Sequence, residues 1–251
     1  WYDGGQYQLL YTHNFNSQIS VIKGSWDAAT ESIGTCSATI YTLENSTVLT
    51  EEQKVSKIAD VRGIRAFWIY VMMDYWGNIP LLTEYDPVDK VLPSCTPRQE
   101  VFNWLVQELN EIKDQCPAPT AENYACFTQG AAYTLLAKLY LNADAWGVTT
   151  GENNYQKVVE YCDKVMTMGY ILEPVWKDNF SQTNNNSREA IFACAFSASD
   201  TQNSNGLHFN TLHYKDNLAI GATFTANNGV CAQPDYVKLF PEDDPRREGS
   251  F

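Results

Sequence analysis

The chain of 251 residues sets 17 Lys and Arg against 30 Asp and Glu, and the resulting formal charge of -13 leaves no phosphate-neutralising patch, which argues against nucleic acid or anionic lipid as a partner. A content of 44% hydrophobic and 13% aromatic residues excludes disorder, and 7 Trp with 15 Tyr give more rings than a core of this size needs, so some are expected at a binding surface. No stretch approaches the roughly 18–20 apolar residues of a membrane span, and the opening Trp-Tyr-Asp-Gly-Gly has none of the parts of a signal peptide.

Trp26, Ala29, Ile33, Cys36 and Ile40 recur at three- and four-residue steps and predict a helix from Ser25 to about Leu43 with one buried face. A second helix is predicted from about Thr50 to Trp76. Glu51 and Glu52 sit in its first turn, where the helix dipole favours negative charge, and Gly77 and Pro80 stop it. Its second half, from Ala66 to Met73, is apolar on every side and should be central. Thr96 reads as the cap of a third helix, with Pro97 in the first turn, Gln99 completing a capping box and the stripe Val101, Leu105, Leu109, Ile112. Pro117 and Pro119 end it. Thr128 opens a fourth, marked by Ala132, Leu135, Leu136, Leu139, Tyr140 and Ala143. A fifth carries Tyr155, Val158, Val159, Cys162 and Met166 and stops at Gly169. The last two resemble a tetratricopeptide-type helix pair.

Beyond Tyr170 the character changes. Residues 181–187 read as a turn-forming loop, Ile191 to Phe196 as a short buried strand, and 197–233 as long irregular loops of the kind that carry function. The fold class is therefore mostly α: tetratricopeptide-like helix pairs forming a scaffold over about 20–170, then a loop-rich segment over about 171–251, in a single domain with a few short strands. The chain starts without Met and stops in what reads as a loop, so it is expected to be part of a longer protein.

The seven cysteines, at 36, 95, 116, 126, 162, 194 and 231, make no zinc-ligand spacing. Cys36, Cys162 and Cys194 read as small buried thiols, and Cys116 with Cys126, flanking a Pro-rich connection, as the pair to test for a disulfide. The five-residue gap between His208 and His213 does not favour a metal site.

Asp60-Val-Arg-Gly-Ile-Arg-Ala-Phe, followed by Tyr75-Trp-Gly-Asn-Ile-Pro-Leu-Leu-Thr-Glu, resembles the most recognisable block of the SusD/RagB family. Further blocks stand in the family's order: Trp26 in the first helix, Arg98-Gln-Glu-Val-Phe, Ala131 to Leu141, the Tyr155 helix with Gly169-Tyr170, Glu189-Ala-Ile-Phe and Asp244-Pro-Arg-Arg. Departures occur at Thr30, Ser37 and Asp60, where the family usually has Tyr, Asn and Glu. The resemblance implies a non-enzymatic, lipid-anchored protein on the outer-membrane surface of a Gram-negative bacterium. Such a protein delivers glycans to a SusC-like TonB-dependent transporter and meets the membrane only through an anchor outside this segment. It implies no cofactor. Family ligand residues vary too much to be carried over one by one.

A neutral sugar presents apolar C–H faces and a belt of hydroxyls, so its binder needs exposed rings beside hydrogen-bonding side chains. Two segments that read as non-helical supply both. Trp1, Tyr2, Tyr11, His13 and Asn14 are the candidates in the first, where Tyr7 and Asn16 add to the set. Asn205, His208, His213, Tyr214 and Phe224 are the candidates in the second, beside Phe209 and Asp216. Trp68, Trp76, Trp104, Leu136 and Tyr140 read instead as packing residues, and Arg65 as the structural partner of a carboxylate. Two other readings stand beside glycan binding. One is a protein-interaction scaffold without a glycan site. The other is a helical glycosidase using a pair such as Asp216 with Asp243 or Asp244, though 30 acidic residues make any such nomination unspecific.

Overall fold

A computed structural model describes residues 4–85, 93–181, 183–196, 210–216, 221, 224–227 and 229–250. The chain divides into two compact units, one of residues 6–172 and 188–193, the other of 1–5, 173–187 and 194–251.

The larger unit is a serial array of helices: α1 (Gln6–Tyr11), α2 (Ser20–Glu44), α3 (Glu51–Trp76), α4 (Arg98–Ile112), α5 (Gln129–Asn142) and α6 (Asn154–Met166). Each from α2 onward packs on the next, and the pairs α2–α3 and α5–α6 share the widest contacts, the second of them being the expected tetratricopeptide-like pair. Ala66, Ile69, Met72 and Met73 of α3 are fully buried, with Leu105 and Leu109 of α4 and Leu136 and Leu139 of α5. The apolar second half of α3 is thus central, as its sequence predicts, and Leu136 and Tyr140 are core residues. Trp68, Trp76 and Trp104 pack half-buried against that core.

Local chemistry explains the boundaries, including those the sequence misplaces. The first long helix begins at Ser20, earlier than expected, because Gln6 Oε1 accepts from Ser20 N at 3.1 Å and from Ser20 Oγ at 2.6 Å, capping α2 from another helix. At α3, Thr50 Oγ1 accepts from Gln53 N and Gln53 Oε1 from Thr50 N, a reciprocal capping box. The box expected at Thr96 does not form. Thr96 pairs in both directions with Ile79 at 2.7 and 3.2 Å, the sole β-pairing among the described residues. Pro97 is the residue before α4, and Asn78 Oδ1 accepts from Arg98 N at 2.9 Å, taking the capping role. Gln99 turns instead to Thr149, accepting from its N and donating to its O at 2.9 and 3.0 Å. Thr128 and Asn153 cap α5 and α6 through their side chains.

Arg65 is structural, as expected: its Nη2 donates to Glu108 Oε1 at 3.0 Å and its Nη1 to Thr83 O at 2.7 Å. Arg62 completes the network with bonds to Glu108 at 2.9 and 2.6 Å and to Glu111 at 2.7 Å.

Three expectations are corrected. Ile191 to Phe196 is not a strand: Phe192 sets its ring edge-on against Phe67 and Phe127 at 5.3 and 5.4 Å, so side-chain packing places this segment, with no paired strand among the described residues. Cys116 and Cys126 are both free: the Cys116 thiol points to Ala59 O at 3.7 Å, and Cys126 bonds the Asp60 carboxylate. Burial pushes the Cys116 thiol up to about 12, which keeps it out of the reactive thiolate form. Cys36 is buried, but Cys162 and Cys194 are exposed.

The smaller unit is built from 3-10 turns at Trp176–Phe180 and Asn184–Asn186 and short helices α7 (Pro234–Val237) and α8 (Pro245–Ser250), with α8 packed on the first turn. No described helix is long and apolar enough to cross a membrane.

Candidate functional site

The first candidate segment is partly helical, which corrects the sequence reading. Tyr7 and Tyr11 lie on α1, and His13 ends that helix: its φ of 57° puts it in the left-handed region, His13 N donates to Leu10 O at 3.2 Å and Asn14 N to Leu9 O at 2.9 Å. This is the Schellman pattern with a histidine at the position glycine usually takes. His13 and Asn14 thus shape the exit from α1. Both are exposed, and the Tyr11 ring stands 76% exposed beside them.

That exit delivers Phe15, Asn16 and Ser17 to a hollow of about 480 Å³ completed by Leu10, Val21, Ile22 and Ser25 and by Tyr75 and Trp76 at the end of α3. Tyr75 and Phe15 are largely exposed, and Trp76 meets Tyr75 and Trp26 edge-on at 5.5 and 5.2 Å, so the wall is fixed by ring contacts. Asn16 Oδ1 accepts from Gln18 N at 2.9 Å, setting the turn at the rim. The sequence reading missed Phe15 and Tyr75 and treated Trp76 as packing alone. The available signal was Tyr75 itself, a polar-tipped ring in the last turn of a helix whose second half is mostly apolar, where the chain must emerge.

In the smaller unit His213 and Tyr214 stack, with ring centroids 4.3 Å apart and planes 29° from parallel. His213 Nδ1 accepts from Lys215 N at 3.1 Å and His213 O from Asp216 N at 3.0 Å, which fixes the ring in its turn. Lys215 Nζ lies 6.0 Å from the centre of the Tyr214 ring. Asn210 O accepts from Gly229 N and Val230 N at 2.9 and 2.8 Å, tying this turn to the segment after it. Tyr214 is 53% exposed on this base, and Phe224 is half-buried. The result is a stacked aromatic pair with the Lys215 ammonium beside it. Trp1, Tyr2, Asn205 and His208, with Phe209, lie outside the described residues.

Among the carboxylates nominated for hydrolysis, Asp244 is held at 2.5–3.1 Å by the Arg246 side chain, which with the Arg246 N–H pulls its carboxyl down to about 2. A general acid needs the opposite shift. No group of three or more His, Cys, Asp or Glu among the described residues could hold a metal ion.

No protein-family model matches the chain. Among curated proteins it is similar to the starch-binding protein SusD of Bacteroides thetaiotaomicron, 27% identical over 151 residues, covering 60% of this chain and 26% of that protein. It is also similar to a SusD-like protein of Bacteroides ovatus, 25% identical over 198 residues, covering 76% of this chain and 36% of the relative. The match therefore spans about a quarter to a third of the length of these relatives. Among solved structures, a SusD superfamily protein from Parabacteroides distasonis superposes with a TM-score of 0.84 at 17% identity, over 96% of this chain and 51% of that one. A laminarin-binding SusD-like protein superposes with a TM-score of 0.72 at 20% identity, over 83% and 47%.

Proposed function

We propose, for a chain that belongs with the SusD/RagB proteins in sequence and fold, that it binds neutral oligosaccharides at the cell surface and passes them uncleaved to a SusC-like TonB-dependent outer-membrane transporter. The observation that carries the glycan reading is the His213–Tyr214 platform, a half-exposed ring stacked on its neighbour with Lys215 beside it. A pyranose face can stack there while its hydroxyls meet polar groups such as Lys215. The hollow at Phe15, Tyr75 and Trp76 offers a second apolar wall of the same character. The relatives support the ligand class, since one is a starch-binding and another a laminarin-binding protein. The transporter partnership, lipid anchoring and absence of catalysis follow from the family reading, and the single-domain organisation over 1–251 is proposed with them.

A glycan array followed by calorimetric titration with maltoheptaose and laminarihexaose tests the proposal. Binding to at least one neutral glycan, with the glycan recovered at its original length, is expected. An array with no bound glycan, or release of reducing ends in proportion to protein, overturns it. Co-purification with a SusC-like transporter from the native membrane checks the partnership.

A further inference from the structure

The larger unit holds a second hollow, of about 530 Å³, within the range of small-ligand sites and lined by none of the site residues assigned above. Its mouth is formed by Tyr41 of α2 and Tyr85, whose rings lie 5.2 Å apart at 37° and are each about half exposed. Glu44 and Glu84 stand exposed beside them. Its floor is polar and buried: Ser37, Arg65 and Glu108 are each at most 6% exposed, and Thr83 O is held by Arg65. One donor on that floor, Arg65 Nε, is buried and meets no acceptor. An adjoining hollow of about 460 Å³, over Trp26, Ile33, Met72 and Leu82, shares Ser37, Glu84 and Tyr85 and prolongs the groove along an apolar wall.

We propose that this groove is a separate saccharide subsite, in which a neutral sugar ring stacks on the Tyr41–Tyr85 pair with its hydroxyls toward Glu44 and Glu84. The proposal extends the glycan-binding reading and rests on it. The aromatic pair supplies the apolar face, and the two carboxylates are acceptors suited to vicinal hydroxyl pairs. The charge balance selects the class. Three carboxylates, Glu44, Glu84 and Glu108, face two guanidiniums, Arg62 and Arg65, that are already bonded to Glu108, Glu111 and Thr83, so uronic or sulfated sugars meet net repulsion. Neutral hexoses and their oligomers do not.

The test is a titration of tyrosine-ring-labelled protein with maltoheptaose, laminarihexaose and galacturonic acid oligomers, followed by NMR. Tyr41→Phe and Tyr85→Phe assign the signals. The expected result is a saturable shift at Tyr41 and Tyr85 with a neutral oligosaccharide and none with the acidic one. Tyr85→Ala should weaken that response about tenfold, the scale of one lost stacking face, and Tyr214→Ala should leave it in place. Shifts at Tyr214 with none at Tyr41 and Tyr85 would overturn the subsite and leave the general glycan reading standing. Silence at all three rings would overturn both. A response at Tyr41 and Tyr85 to a lysine-rich peptide but to no sugar would also overturn the subsite and make the groove a docking site for cationic side chains.

Discussion

Gly63 of α3 lies directly under the ring of Phe127, so close that a β-carbon at position 63 would overlap the ring. Phe127 is 1% exposed and packs on Phe192, which packs on Phe67, so the ring has nowhere to go. Gly63→Ala should therefore destabilise by about 1–3 kcal/mol, overriding the gain of under ~1 kcal/mol that alanine brings to a helix interior. Gly24 of α2 is the control, since nothing lies within 4 Å of its added β-carbon. Gly24→Ala should raise stability by up to about 1 kcal/mol. Urea unfolding of both variants checks the pair, and equal effects would contradict the packing at Phe127.

The buried charges joining α3 to α4 predict a second asymmetry. Glu108 accepts from both Arg62 and Arg65, and its side chain is 7% exposed. Glu108→Ala leaves Arg65 charged and unpaired in the interior, a loss of about 3–5 kcal/mol. Replacing the pair together, Arg65→Met with Glu108→Leu, should restore most of it, because the apolar pair needs no desolvated partner. Thermal melts of the single and double variants measure the coupling, and a double variant as unstable as the single would refute this account.

Asp60 makes stability depend on pH. Burial pushes its carboxyl above the usual carboxylate range, while the Phe127 N–H at 2.7 Å and the Cys126 thiol pull it partly back. A raised folded-state value favours the protonated form. Its contribution is therefore complete below the unfolded value of about 4 and is lost as pH rises through the folded one. Asp60→Asn keeps an acceptor for Phe127 N and cannot ionise. The stability of the native sequence minus that of Asp60→Asn should fall as pH rises above about 4 in urea titrations. A flat or rising difference would rule out the burial effect.

The helical scaffold is legible because each long helix writes its buried stripe into sequence, as Val101, Leu105 and Leu109 do, and because Arg65 among apolar neighbours demands a carboxylate. The misplaced helix starts share one physical cause. Gln6 capping Ser20, Asn78 capping Arg98 and Gln99 bridging Thr149 are contacts between elements, invisible to a local reading, so the starts of α2 and α4 were misplaced. The candidate segments were recognised by composition, which cannot say which rings are exposed. In the first of them the ring at a hollow is Phe15, which lines it with Tyr75 and Trp76 of α3, and His13 serves to end a helix.

The aromatic platform yields the prediction on which the proposed function depends most. Tyr214 is half exposed and stacked on His213, so removing it strips a flat face without opening the interior. Tyr214→Ala should weaken oligosaccharide binding by about 1–3 kcal/mol out of a total near 4–8, the range of micromolar to millimolar sugar complexes. Phe15→Ala in the hollow it shares with Tyr75 and Trp76 should weaken it less, since the Tyr75 and Trp76 wall remains. Leu136 is fully buried and should behave in the opposite way. Leu136→Ala opens a cavity and costs about 2–5 kcal/mol of stability, with little effect on affinity while the protein stays folded. Calorimetry on each variant, paired with circular dichroism and a thermal melt, separates the two kinds of effect. Full-strength binding by Tyr214→Ala together with Phe15→Ala, at unchanged helix content, would exclude each of the two surfaces from glycan binding.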